Sequence, residues 1–415
     1  MPNYLAPGVY IEERPSGPRP IEAVGTSLAG FIGQAPLADR HVHRPMWFSN
    51  WTQFVKEMVT PEERGRAAAP ASTALSHAVF GFFQNGGSRC CVVNIGSDTN
   101  IAGDGTSHQG LGIFEQLDEI AIVAAPGFSD ALSQEILLSH CEKMKDRVAV
   151  LDGPPAVSSV DHLVKVATAA PSGKSRRGGE GEPASAGEPR AEGAFRPRQS
   201  DGGFGAFYFP HITVQDPISR ELVDVAPSGH IAGIYARTDA TRGVHKAPAN
   251  EIIRGACNVT YRVTRQEQEQ LNPEGVNCIR LFPREGIRVY GARTVAAGSS
   301  EWRYLNVRRL FNMIEESIAR STRWVVFEPN DRPLWKSIKR DISAFLTLIW
   351  RQGALMGRTP EEAFFVQCDE ETNPPEEIDA GRVVTVLGLA PVKPAEFVIF
   401  QIGQGVGGSE IETVA

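Results

Sequence analysis

Cysteine is scarce: six in 415 residues, and no C-x-x-C pair among them. Cys90, Cys91, Cys141, Cys257, Cys278 and Cys368 lack both a disulfide-framework spacing and a zinc-ligand spacing, so they read as reduced thiols of a cytosolic chain. Positive charge is not in excess. A formal net charge of −7 leaves no electrostatic footprint for a nucleic-acid partner. Long apolar runs are missing, and the most apolar stretches, such as residues 342–350, are far too short to cross a bilayer. Direct membrane insertion is therefore not expected. The opening M-P-N-Y-L-A-P-G has neither the basic nor the apolar region of a secretory signal, which predicts synthesis and folding in the cytoplasm. What is abundant is glycine and proline, 41 and 29 residues, in an otherwise ordinary soluble composition. The length suits two or more domains, each with its own core.

Residues 1–20 hold five prolines and little to bury, so they form neither a helix nor a packed domain. Within them Val9, Tyr10 and Ile11 make a short β-prone patch with no local partner. From residue 21 strands and helices alternate. Apolar strands are predicted at 27–32, 90–95, 119–124 and 147–151, with helices at 51–58 (capped by Ser49), 71–85, 111–117 and 129–144 (capped by Ser129). In the last of these Leu132, Ile136, Leu137 and Cys141 share a face. Strands rich in Val, Ile and Ala between such helices indicate a parallel sheet covered on both sides. Residues 171–203 break the pattern with almost nothing to bury and read as a disordered surface insert. A strand-like stretch at 204–214 and a helix at 228–240 follow.

From about 251 the character becomes α+β: strands at 276–281 and 287–290, a helix at 302–321, a strand at 323–327, and a helix from Pro333 to about residue 355. Strands at 363–368 and 382–389 come next. The fold class is thus α/β plus α+β. Its divisions are an N-terminal arm (1–20), an α/β outer domain (21–250), an α+β inner domain (251–395) and a C-terminal arm (396–415). The last strand, at 395–401, contains Phe397, Val398, Ile399 and Phe400 before Ile402 and a glycine-rich tail. Nothing nearby can pair with it. An apolar edge left in water aggregates, so such a strand is either docked or donated to another molecule, and donation is the reading taken.

Sequences that look chemical do not assemble. Ala170-Pro171-Ser172-Gly173-Lys174-Ser175 imitates the end of a phosphate-binding loop, but Thr168 stands where its first glycine belongs and no helix follows. Gly25-Thr26-Ser27-Leu28-Ala29 and Gly229-His230-Ile231-Ala232-Gly233 resemble the serine and histidine motifs of subtilisin-like proteases. The catalytic histidine of that motif would fall on Pro227, and the serine-like motif comes first in the chain. Close approach of a strand and a helix is the simpler account, and a hydrolase with Ser27 as nucleophile is the alternative function. His41 and His43 have no ligand cluster around them. Hence no catalytic residue, metal or cofactor is expected. The helix from Pro333 has a wide apolar face (Trp335, Ile338, Ile342, Phe345, Leu346, Ile349, Trp350), with Lys336, Lys339, Arg340 and Arg351 opposite. That is either a solvated side or a basic stripe for an acidic partner.

Several motifs belong together. A-P-S-G-H-I-A-G-I-Y-A-R-T-D-A-T-R-G-V-H-K-A-P-A-N (226–250), the N-terminal Y-L-A-P-G-V-Y-I-E-E beginning at Tyr4, R-S-T-R-W-V-V-F-E-P-N and the A-E-F-V-I-F-Q-I-G-Q ending closely resemble contractile tail sheath proteins. Such proteins occur in contractile-tailed bacteriophages, R-type pyocins and extracellular contractile injection systems. The resemblance runs over essentially the whole chain, except the 171–203 insert. It implies a homopolymer of stacked hexameric rings, in which the arms around Tyr4, Val9, Tyr10 and Ile11 and around Phe397 to Ile402 add strands to neighbouring copies. It also implies an inner tube protein touched through Lys336, Lys339 and Arg340, together with baseplate and cap or terminator proteins. The assembled particle would be released or stay in the cytoplasm.

Overall fold

The computed structural model describes residues 20–60, 71–103, 108–167, 193–397 and 399. Its centre is a mixed nine-stranded sheet in the order β2-β3-β1-β4-β5-β6-β11-β12-β9. In chain order these strands are β1 (Ala29–Gly33), β2 (Pro45–Phe48), β3 (Cys90–Asn94), β4 (Ile122–Ala124), β5 (Val148–Asp152), β6 (Gly205–Phe209), β9 (Glu251–Ile252), β11 (Val276–Phe282) and β12 (Gly286–Tyr290). The run β3-β1-β4-β5-β6-β11 is parallel throughout. Its first five strands are buried on both faces, which is why they read as unbroken apolar runs. A small antiparallel sheet, β10-β7-β8, is made by β7 (Ile212–Gln215), β8 (Leu222–Val225) and β10 (Ala256–Val259). The large sheet runs on across residue 250, since β9, β11 and β12 extend it.

Alternate residues feed two cores. Phe31, Val92, Val150 and Tyr208 face α2 (Ala74–Gln84) and α4 (Ser228–Arg242), with the short α1 (Trp51–Phe54) beside them. Ile32, Val93, Leu151 and Phe207 face the opposite side, covered by α3 (Ala131–Met144), α5 (Arg265–Leu271) and a 3₁₀ turn at Gly110–Gln116. A third core joins α6 (Leu305–Ser321), α7 (Arg332–Arg351) and the hairpin of β13 (Phe364–Gln367) and β14 (Val386–Leu389).

Some local expectations change. Asn50, not Ser49, caps α1, and Asp130, not Ser129, caps α3, because each side chain reaches an amide of its helix's first turn. Leu132 points outward rather than into the α3 face. Residues 193–203 are ordered: Arg196 pairs with Glu274 at 2.5 Å, and Arg198 bonds Glu135 and Glu142 at 2.6 and 2.8 Å. The 323–327 strand is instead a 3₁₀ turn, Arg323–Val325, followed by an exposed tip. Phe397 and Ile399 lie in no strand of this chain.

Candidate functional site: the arm exits and the outer face of α7

The N-arm residues Tyr4, Val9, Tyr10 and Ile11 lie outside the described residues, as do Val398, Phe400 and Ile402. What the structure describes is how residues 20–26 and 390–397 are held against the body. On the N-terminal side Ile21 is buried in the third core. The Val24 amide donates to Ser317 Oγ of α6 at 3.0 Å, and the Thr26 hydroxyl donates to Asp239 of α4 at 2.5 Å. Asp239 also accepts two bonds from Arg309 of α6, at 2.9 and 2.6 Å, and both side chains are buried. Arg309 in turn donates to the Thr26 carbonyl at 3.0 Å. One buried ion pair therefore ties the N-terminal strap, α4 and α6 together. Truncating either partner would strand a charge in low dielectric, at a cost of about 3–5 kcal/mol.

On the C-terminal side the chain leaves β14 and is held by two contacts of Val392, its amide to the Ala354 carbonyl and its carbonyl to Asn306. It is then clamped at Glu396. That carboxylate accepts from Arg293 at 2.8 and 2.7 Å, from Asn272 at 2.7 Å and from the Tyr304 hydroxyl at 3.3 Å. Burial works to raise its pKa, but the Arg293 and Asn272 bonds outweigh it and hold the carboxyl below its usual range. Immediately beyond, Phe397 is 73% and Ile399 82% exposed. Sequence reading missed this clamp, because Glu396 and Arg293 are 103 positions apart and neither stands out alone.

The hairpin β13–β14 has only two strands, and among the described residues neither outer edge is paired. Phe365 and Val386 on it are largely exposed. The pair is supported by its packing on α7 in the third core, so its open edges do not cost the fold.

On α7 the helical spacing gives the faces the sequence predicts. Leu334, Trp335, Ile338, Ile342, Phe345, Leu346 and Ile349 are buried, whereas Lys336, Lys339 and Arg340 are exposed. Arg340 bonds its neighbour Asp341 at 2.9 Å. Lys336 and Lys339 have no ion pair among the described residues.

The protease-like motifs do not meet chemically. Glycines 229 and 233 serve a helix crossing: a Cβ on Gly229 would lie 2.3 Å from the backbone of Ala78, and one on Gly233 2.5 Å from the Phe82 carbonyl. The close approach is thus helix α4 on helix α2, not strand on helix. His230 packs over Gly81, and neither ring nitrogen has a hydrogen-bond partner. It activates no serine. Ser228 bonds Asp152 through its amide and hydroxyl, at 2.8 and 2.7 Å, so the aspartate serves as a remote cap for α4. Among the described residues no cluster of three His, Cys, Asp or Glu side chains is placed to hold a metal.

Residues 189–295 match the phage tail sheath protein central domain, and residues 298–404 match the phage tail sheath C-terminal domain. The chain belongs to the tail sheath family. The tail sheath protein of Vibrio phage KVP40 is 31% identical over 174 residues, 41% of this chain and 25% of that protein. The tail sheath protein of Enterobacteria phage T4 is 28% identical over 185 residues, 44% of this chain and 27% of that protein. The chain thus spans about a quarter of the length of these curated relatives. Solved structures match over nearly the whole fold. The sheath complex of the extracellular contractile injection system PVC, in its contracted state, aligns with a TM-score of 0.75 at 29% identity, covering 98% of this chain and 99% of that one. The helical sheath of the anti-feeding prophage, also contracted, aligns at 0.73 and 29%, covering 97% and 100%. The fold described above is accordingly that of these sheath proteins. No helix among the described residues is long and apolar enough to cross a membrane.

Proposed function

We propose that this sheath protein polymerises around an inner tube as stacked hexameric rings, and that terminal arms exchanged between copies join the rings. It acts mechanically and needs no cofactor. The sheath assembles extended, then contracts after a baseplate signal and drives the tube through a target envelope. Baseplate and cap or terminator proteins bound its two ends.

The observation that carries this reading is the pairing of donor and acceptor on one subunit. A segment clamped at Glu396 leaves the body with Phe397 and Ile399 in solvent, while the β13–β14 hairpin offers open edges. Backbone pairing tolerates sequence and contributes about 1 kcal/mol net per hydrogen bond, so a five-residue strand grips while the bodies rotate. Donor and acceptor surfaces differ, so the contact is heterologous and builds an open-ended polymer. The outer face of α7, with Lys336, Lys339 and Arg340, is the surface assigned to the tube. Its exposed charges each contribute little and are screened, which suits a contact that releases along the whole tube at once.

Deleting residues 1–12 or 398–415 tests the arms while leaving the Glu396 clamp in place. Each truncated subunit should stay soluble and folded and form no sheaths by negative-stain microscopy. Normal sheaths from both truncations would remove the arm mechanism.

A further inference from the structure

One subunit carries both halves of the proposed joint, and they are close neighbours in sequence. Strand β14 ends at Leu389, and the exposed Phe397 follows after residues 390–396. The open edge of β14 is therefore within reach of the chain's own tail. A strand tethered to its acceptor by a short flexible linker meets it at an effective concentration of about millimolar. Left loose, the tail would fold back and fill its own hairpin before a neighbouring copy arrived. Yet Phe397 and Ile399 lie in no strand of this chain.

The connector accounts for this. A chain that reverses beside β14 turns within about two to five residues of its end. Here those residues are committed elsewhere. The Ala390 amide donates to the Ala363 carbonyl at 2.9 Å, and the Ala390 carbonyl accepts from the Met356 amide at 2.7 Å. Pro391 bridges to Leu355, and the Val392 amide donates to the Ala354 carbonyl at 3.2 Å. Bonds along a strand alternate in direction, so with Ala390 and Val392 turned toward β13, Pro391 faces the open edge. Proline has no N–H there for a returning strand to use. Pro394 biases Lys393 toward extended backbone. Glu396 then fastens the far end to Arg293, Asn272 and Tyr304. These stand after β12, at the end of α5 and before α6, and none is on the hairpin.

From this we infer that residues 390–396 are a block against self-pairing. They hold the tail away from its own β13–β14 edge, so that tail and edge both stay free for neighbouring copies. The inference deepens the strand-exchange reading and rests on it. It makes Glu396 a positioning residue for the exchange, acting through the path it imposes on the chain. Donation to a neighbour then follows from the removal of the nearer acceptor as well as from the chemistry of the strand.

The test uses the full chain with Cys257→Ser, because Cys257 is the exposed thiol among the described residues. A reversal centred between residues 392 and 393 would set Ile399 beside Val386, and both side chains are exposed. Val386→Cys and Ile399→Cys are therefore introduced together and joined with a short bifunctional maleimide in dilute soluble subunit. With the clamp intact, crosslinks within one chain should stay at background. Adding Glu396→Ala should raise them about tenfold or more, at a rate independent of subunit concentration. Asn272→Ala, which removes a single bond to the carboxylate, should give a smaller rise in the same direction. Sheath assembly with the particle's own partners should slow in the same order. A within-chain crosslink equally strong with the clamp intact, no rise with either variant, or assembly as fast as in the unaltered chain would overturn the block. Those outcomes leave the strand-exchange reading standing. That reading falls instead if both arm truncations still make normal sheaths, and the block falls with it.

Discussion

Replacing Glu396 by alanine releases the segment after β14 from its clamp, and the size of the effect follows from the geometry. Four bonds converge on this carboxylate, two of them a bidentate pair with Arg293. The Glu396 side chain is 19% exposed, between an exposed pair at about 0–1 kcal/mol and a fully buried one at about 3–5 kcal/mol. About 2 kcal/mol is the intermediate value. Arg293 keeps a bond to the Asn272 carbonyl at 3.2 Å, so the fold persists and the loss is local. Upstream the segment remains tied through Val392. The ratio of docked to released segment, read from the mobility of a spin label at Ala395, should therefore fall about thirtyfold, with the global melting temperature nearly unchanged. Because the carboxyl is held below its usual range, the clamp is present above that range and is lost as pH falls through the lowered value. Only acid below the ordinary glutamate range should reproduce the alanine phenotype in the native chain. Unchanged mobility of the label at Ala395, or a drop in global stability as large as the local effect, would refute the clamp.

Two further outcomes are expected. Reversing charge at Lys336 and Lys339 should shift subunit stability by no more than about 0.5 kcal/mol, since both are exposed and unpaired among the described residues, while abolishing tube-loaded extended particles; normal yields of loaded particles would show the face to be merely solvated. Burial, with His77 as a lesser cause, holds His230 down at about 4 against an ordinary 6.5. The unfolded chain therefore takes up the proton first, and the stability that neutral His230 contributes above pH 6.5 is lost as pH falls toward 4, by at most about 1.4 kcal/mol per unit. Asp152, pushed up to about 7 by burial, titrates in the opposite sense, but it is common to both proteins when wild type is compared with His230→Leu. The stability difference between those two should move in favour of the variant on acidification, as read by denaturant melts at pH 7, 5.5 and 4; a constant difference would count against it.

How much was legible depended on how local the deciding contact is. Strands β1, β3, β4 and β5 could be read directly, because burial on both faces forces unbroken apolar runs. The exposed side of α7 was readable from helical spacing alone, and Lys336, Lys339 and Arg340 stand where that spacing put them. Caps were misassigned by one residue at Asn50 and Asp130, where two polar side chains compete and the backbone angle decides. Val325, Val326 and Phe327 have strand composition, and nothing local announces that they form a tip. The extension of the large sheet through β11 and β12, and the Glu396–Arg293 and Asp239–Arg309 pairs, join residues far apart in the chain. Composition carries no trace of such pairings.

The buried Asp239–Arg309 pair bears on how a pull at one end of the subunit is carried. A tug on residue 20 is passed through Val24 to Ser317 and through Thr26 to Asp239, so it reaches α6 and α4 side by side. From α4 it passes into the large sheet through Asp152, on β5. The load is thus divided between two helices and the sheet. A subunit fastened this way carries a pull at residue 20 into its body as one stiff piece.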